Sequence, residues 1–466
     1  MTITPSRASL SAYAALLLAL ALSFAACTKQ AAPSAPEAEA APEAATAPRP
    51  AVLIIAIDGL RPADVARADT PHLDELAREG AYTDTARAVM PTITRTNFVT
   101  FATGGYADEH GVIGGTYIDE AWEEQKTDGP TLEEAQKAVP IPTIFEVAEA
   151  KGSRTAMIAM KGYELVGARG ASVARGGADL FPETIWAGRY DPNDGGSPEE
   201  FVRRRLRKNE VMIEELKAVF EEGPADLVLI NLGATDYVAH QLGPDSEHYL
   251  RAIEGSDRMV GAALEVAAAA APDRDWHVIV GTDHGFSQTG GRERLVVPHL
   301  EGVFEVDELE AAEIEHRIYE RGGRAAELYL RDLGDATRAA ELLAELPWVR
   351  RFYSEINLPG RAGNLDDLRV AFPGRHGSIY IITDPSYGFA YPNRGQHGSD
   401  DPEDQVIPLW LAGSRVAASS PDLAGASNLD IGPTALALLG IDPRDHLEGS
   451  GQSLMPVPLE TDADAR

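Results

Sequence analysis

The chain reads as an α/β fold in which a mainly parallel central sheet is covered by helices on both faces. Three observations predict it. Val52-Leu53-Ile54-Ile55-Ala56-Ile57 is a continuous apolar run rich in β-branched residues, as expected of a strand buried on both sides. Runs of the same kind recur at Thr155–Ala159, Asp226–Leu232, Trp276–Gly281 and Val406–Ala412. Helical patterns separate them, and strands alternating with helices close into parallel sheets through crossover connections.

The elements follow in order. Thr70-Pro71 opens a helix with a capping residue and a proline at the first helical position, and Gly80 closes it. Further helices are predicted over about 142–151, 199–222, 245–271 and 429–439. From about 292 to 390 the rhythm breaks: strand-like Ala326–Leu330, Trp348–Tyr353 and Ser378–Thr383 flank a helix-like Asp335–Leu346. This stretch reads as a small α+β insert in a domain running from residue 51 to 466.

Residues 1–26 read as a secretory signal: Arg7 precedes an apolar run, Leu10 to Ala26, that ends in small residues. Cys27, the only cysteine in the chain, follows Phe24-Ala25-Ala26, where a bacterial lipoprotein would carry its lipidated first residue. An envelope lipoprotein anchored through Cys27 and facing the periplasm is the expectation. Residues 27–50 are rich in Ala, Pro and Glu and read as a disordered tether.

Composition excludes several classes. The formal net charge is -32, and residues 1–50 contribute nothing to it because their three basic and three acidic residues cancel. Such a surface repels nucleic-acid polymers unless bound cations reverse the sign locally. One cysteine permits neither an intrachain disulfide nor a cysteine-based zinc cluster. Metal ligands, if present, are Asp, Glu and His.

Those residues stand where strands end. Asp58-Gly59 follows the first strand and Asp283-His284-Gly285 follows the Trp276–Gly281 strand, and ligands of open α/β sheets gather beyond such carboxyl ends. Asp236 and His240 are spaced to share one helix face, and Gly395-Gln396-His397-Gly398 supplies a further histidine. Taken singly, each histidine is better read as a loop residue. Six Asp and His residues placed this way together point to cation binding. Thr94, in Met90-Pro91-Thr92-Ile93-Thr94-Arg95-Thr96-Asn97, sits where a helix begins and is read either as a plain cap or as a nucleophile at an anion-favouring helix end.

The ordered series Asp58-Gly59, Pro91-Thr92-x-Thr94-x-x-Asn97, Thr103-Gly104, His110-Gly111, Asp236-x-x-x-His240, Asp283-His284-Gly285 and Gly395-x-His397-Gly398 resembles the alkaline phosphatase superfamily. Within it the chain is most similar to the type I phosphodiesterase/nucleotide pyrophosphatase branch, from about Val52 to Leu454. The resemblance implies an alkaline-phosphatase-like sandwich and a metal-dependent hydrolase of small phosphate esters. It implies two Zn²⁺ (Mn²⁺ or other divalent ions would serve), one held by Asp58, Asp283 and His284 with Thr94 bridging, the other by Asp236, His240 and His397. Thr94 would attack phosphorus and form a covalent phosphoryl-threonine.

Two departures stand out. Where diesterase relatives place an asparagine that donates to phosphate, this chain has Gly114-Gly115. Where monoesterase relatives carry Lys-x-Arg, it has Lys161-Gly162-Tyr163, similar also to phosphonoacetate hydrolases. Lys161 is the expected replacement donor, with Arg95 and Gly115 as further substrate-site candidates. A phosphomonoesterase or phosphonate hydrolase, and a non-catalytic binding lipoprotein, are the alternative functions. A sulfatase is excluded because Thr94 occupies the position of its Cys or Ser nucleophile.

Overall fold

The computed structural model describes residues 48–457, apart from 128–133, 135–136, 161–168, 177–189, 191–195, 290–305, 359–361 and 390–392. Six of the seven strands of the main sheet precede the insert: β1 (Arg49–Ile57), β2 (Ala81–Arg87), β5 (Thr155–Ala159), β6 (Val173–Gly176), β7 (Leu227–Leu232) and β8 (Arg274–Gly281). The seventh, β16 (Val406–Ala412), follows it, and the spatial order is β2-β16-β8-β1-β7-β5-β6. Pairing is parallel from β8 through β6, while β16 runs antiparallel to both β8 and β2. Two short ladders lie outside it, β3 (Thr116–Ile118) with β4 (Glu124–Lys126) and β9 (Ser287–Gln288) with β15 (Gly395–Gln396).

The strand period of two explains both faces of the sheet. Leu53, Ile55 and Ile57 of β1 enter one apolar cluster with Phe201, Met212 and Leu216 of helix Pro198–Glu222 and Tyr249 and Ile253 of helix Glu247–Ala270. Val52, Ile54 and Ala56 enter the other, with Phe98 and Phe101 of helix Thr94–Thr103, Ile144 of helix Ile144–Ala150 and Leu436 of helix Ile431–Leu438. Each fully buried Leu or Ile contributes about 1.5–3 kcal/mol, so a one-residue slip of β1 is strongly disfavoured.

Between His316 and Thr383 the chain builds a second sheet of β10 (His316–Arg321), β11 (Ala325–Leu330), β12 (Val349–Ser354), β13 (Ala362–Asn364) and β14 (Ile379–Thr383), ordered β10-β11-β14-β12-β13. Its own cluster includes Ile318, Leu328, Phe352 and Ile381, covered by Leu343 of helix Ala336–Glu345.

Several expectations needed correction. β2 and β10 carry no sequence signal because AYTDTAR and HRIYER are mostly polar and form neither an apolar run nor a regular alternation. Helix Pro71–Glu79 has Thr70 at its cap position, but no side-chain bond from it; Asp257 instead accepts from the backbone N–H groups of His72 (3.3 Å) and Leu73 (2.8 Å). Cys27, the signal segment and the tether up to residue 47 lie outside the described residues, whereas Arg49 and Pro50, expected in the tether, already belong to β1. No helix among those described is long and apolar enough to cross a membrane.

Candidate active site

Strand β1 lies between β7 and β8, so three parallel carboxyl ends open onto one crevice. Asp58 follows β1, and Asp283 and His284 follow β8. Helix Ala234–Leu242 starts directly after β7 and carries Asp236 and His240 one turn apart. His397 arrives from the far side, just past β15.

The first trio is wholly buried. His284 Nε2 lies 3.3 Å from Asp283 Oδ2 and 3.6 Å from Asp58 Oδ1. Thr94 Oγ1 lies 3.3 Å from His284 Nε2 and 3.4 Å from Asp58 Oδ1. In the second trio His240 Nε2 is 3.2 Å from Asp236 Oδ1 and 3.2 Å from His397 Nε2, which is 3.7 Å from Asp236 Oδ1. The rings of His284 and His397 stack with centroids 3.6 Å apart, which sets the two trios side by side.

Three features of this donor set suit divalent cations. Each imidazole presents Nδ1 to a carbonyl oxygen: His284 to Gly285 at 2.9 Å, His240 to Gly395 at 2.9 Å and His397 to Thr92 at 2.7 Å. A carbonyl only accepts, so the proton belongs on Nδ1 and the lone pair of Nε2 faces the trio. Burial, reinforced by the neighbouring His284 and His240, holds His397 well below the usual imidazole range and therefore neutral. Finally, Asp283 Oδ1 accepts from the N–H groups of Gly59 (3.0 Å) and His284 (3.1 Å), while its buried Oδ2 accepts no hydrogen bond among the described residues. Within each trio one ligand atom per residue lies within 4.8 Å of the others.

Thr94 is the first residue of its helix, and Ile93 is the cap. Thr94 is therefore not a plain cap, and its hydroxyl faces the first trio instead. Asn97, one turn on, donates Nδ2 to the carbonyls of Pro91 (2.9 Å) and Ile93 (3.0 Å) and accepts from Asn428 Nδ2 (2.6 Å). Asn428 also donates to the carbonyl of Asp283 (3.3 Å), so one amide pair ties the Thr94 loop to the backbone of Asp283 across the sheet's end. His110 joins neither trio. It is a buried turn residue whose Nδ1 accepts from Val112 N–H (3.1 Å) and whose Nε2 meets Thr100 Oγ1 (3.2 Å).

A cavity of about 320 Å³ opens on Thr94, lined also by Arg95, Gly114, Gly115, His240 and His397. Lys161 lies outside the described residues. Two residues of the second sheet, Glu320 and Arg321, line the same cavity. The β10–β11 hairpin docks directly on the second trio: Gly322 O accepts from His397 N–H (3.1 Å) and His397 O from Arg324 N–H (2.9 Å). Gly398 allows this approach, having φ +107° and a Cβ position only 1.8 Å from Arg321 O. Sequence reasoning missed this hairpin, since Arg321 ends a polar edge strand that carries no motif.

A family model described as type I phosphodiesterase/nucleotide pyrophosphatase matches residues 52–405. The chain belongs to that family. It thereby joins a family of phosphoric ester hydrolases, as expected from the ordered motifs. This phosphodiesterase-family protein is 24% identical over 384 residues to an uncharacterized pyrophosphatase/phosphodiesterase of Schizosaccharomyces pombe, covering 78% of this chain and 70% of that protein. It is 26% identical over 250 residues to human ectonucleotide pyrophosphatase/phosphodiesterase family member 7, covering 52% of this chain and about half (49%) of the human protein. Among solved structures, alkaline phosphatase PafA superposes with a TM-score of 0.67 at 15% identity, covering 88% of this chain and 99% of that one. At such identity the likeness is one of fold.

Proposed function

We propose that this protein hydrolyses small phosphate esters of the phosphodiester or nucleotide-pyrophosphate type, with two zinc ions and a covalent phosphoryl-threonine at Thr94. The observation that carries this is the placement of the Thr94 hydroxyl within 3.4 Å of both Asp58 and His284, at the edge of a second His/Asp trio. Asp58, Asp283 and His284 would hold one ion, and Asp236, His240 and His397 the other. Bound there, such ions offset the charge of the ester and acidify a hydroxyl beside them.

The chain supplies the rest. Its helix start points backbone N–H groups toward the anion. Thr94 Oγ forms a bond to phosphorus as the bond to the leaving oxygen breaks, and the threonine proton goes to the leaving group. Water then attacks the same phosphorus, breaks the bond to Thr94 Oγ and returns a proton to it. The bound cations also reconcile an anionic substrate with a chain of net charge -32. A nucleic-acid polymer would still meet the acidic surface outside the site, so polymers are not substrates. Attachment to an envelope membrane through a lipidated Cys27, facing the periplasm, completes the proposal.

The test is metal analysis together with turnover of a nitrophenyl phosphodiester and monoester. Two bound ions per chain, turnover of the diester, and its loss in Thr94→Ala with metal content retained are expected. Thr94→Ala activity within about tenfold of wild type would refute the covalent route.

A further inference from the structure

Where the family resemblance leads one to expect a side-chain donor, this chain has Gly114-Gly115, and Arg321 packs against that step. The guanidinium of Arg321 lies flat against Gly114: a Cβ there would come within 2.7 Å of Cζ and Nη1. Any larger residue at 114 would expel it. Arg321 is buried at 3% exposure yet lines the cavity on which Thr94 opens.

A guanidinium has five N–H donors. Nε donates to Glu327 Oε2 at 2.8 Å, and Nη2 donates to the same carboxylate and to Thr116 O at 2.9 Å. Nη1 donates one proton to Glu320 O at 3.2 Å. The other Nη1 proton has no acceptor among the described residues, and Nη1 is the atom lying over Gly114, whose backbone forms the cavity wall. Arg95 Nε stands on the same wall, 3.6 Å from the Cβ position of Gly115.

We propose that Arg321, delivered by the β10–β11 hairpin, donates from Nη1 to a non-bridging oxygen of the transferred phosphoryl group. This rests on the phosphoryl-transfer function proposed above and replaces the role expected of Lys161. The bond to Glu327 holds the fork in place, so the donor is preorganised. Because it is a full charge rather than an amide, with Arg95 beside it, it acts most strongly on a transferred group bearing two negative charges. That is the terminal phosphate of a monoester, as opposed to the singly charged phosphorus of a diester.

The experiment compares zinc-loaded wild type with Arg321→Lys and with the double variant Arg321→Met, Glu327→Gln. The double variant removes both members of the buried ion pair, so neither charge is left stranded. Readouts are kcat/KM for 4-nitrophenyl phosphate and bis(4-nitrophenyl) phosphate, the calorimetric Kd of inorganic phosphate, and thermal unfolding as a check on folding. The double variant should lose about 10²-fold or more on the monoester, less than about tenfold on the diester, and bind phosphate at least about tenfold more weakly. Arg321→Lys should fall between. Adding Gly115→Asn to the double variant should restore diester turnover ahead of monoester turnover, since Gly115 lies outside the left-handed region and an amide fits there. Equal losses on both esters with unchanged phosphate affinity, or no loss at all, would overturn the role of Arg321. If wild type turned over neither ester, the function proposed above would fall, and phosphate affinity unchanged in the double variant would then overturn this inference by itself.

Discussion

Acid should weaken this fold through one buried histidine, and the effect can be sized. His110 is fully enclosed, and burial, helped by the nearby Arg375 guanidinium, pushes its pKa from 6.5 down to about 3. Its Nδ1 accepts the Val112 N–H, so protonation there breaks a buried bond in the turn leading to Gly114 and Gly115. A histidine harder to protonate when folded makes the unfolded chain take the proton first. Its contribution to stability is therefore complete above pH 6.5 and is lost progressively as pH falls from about 6.5 toward 3. At about 1.4 kcal/mol per pH unit, the loss between pH 7 and pH 5 is about 2 kcal/mol from this group alone.

The assay is urea unfolding at several pH values, with the same metal present, for wild type and His110→Asn. Asparagine keeps an acceptor near the place of Nδ1 but does not titrate. Losing the ring and the Thr100 contact should lower stability by about 1–3 kcal/mol at pH 7. The slope between pH 7 and pH 5 should be shallower in the variant by about 2 kcal/mol over the interval. Parallel curves for the two proteins would refute the reasoning, because protonation of the carboxylates and of the other histidines acts on both alike.

Other outcomes follow from the same structure. Thr94→Ser should keep part of the turnover and the full metal content, measured by single-turnover kinetics and elemental analysis. Asn97→Ala removes three carbonyl contacts and strands Asn428, so it should cost about 2–4 kcal/mol in unfolding and reduce kcat more than it raises KM. Chelation should lower the unfolding midpoint: zinc at a hundred times its Kd stabilises by about 2.7 kcal/mol, and zinc should restore the midpoint where magnesium does not. Ile55→Ala, in the middle of β1 and wholly buried, should cost about 2–5 kcal/mol while leaving turnover per folded molecule unchanged.

Much of the site was legible because its signals are local. A strand end followed by Asp-Gly or Asp-His-Gly is a short-range pattern, and so are an Asp and a His four apart on a helix. Asp58, Asp236, His240, Asp283, His284, His397 and Thr94 could all be named from such patterns and from the order in which they occur, and the fold brings all of them to one crevice. Edge strands were less readable. β2 and β10 face solvent along part of their length, so burial does not impose an apolar run on them.

By itself, then, the sequence determined the α/β class, the two faces of β1 and the chemical identity of the candidate ligands, since each depends on side-chain periodicity within a few residues. Tertiary structure alone decided what meets across the chain. Asp257 caps a helix 185 residues away, His284 stacks on His397, and Arg321 covers Gly114 from a separate sheet. These contacts depend on how whole elements pack, and packing follows from complementary shape and buried area summed over many residues. No short segment of sequence carries that sum, which is why Arg321, in an edge strand without a motif, gave no signal that it would lie against Gly114.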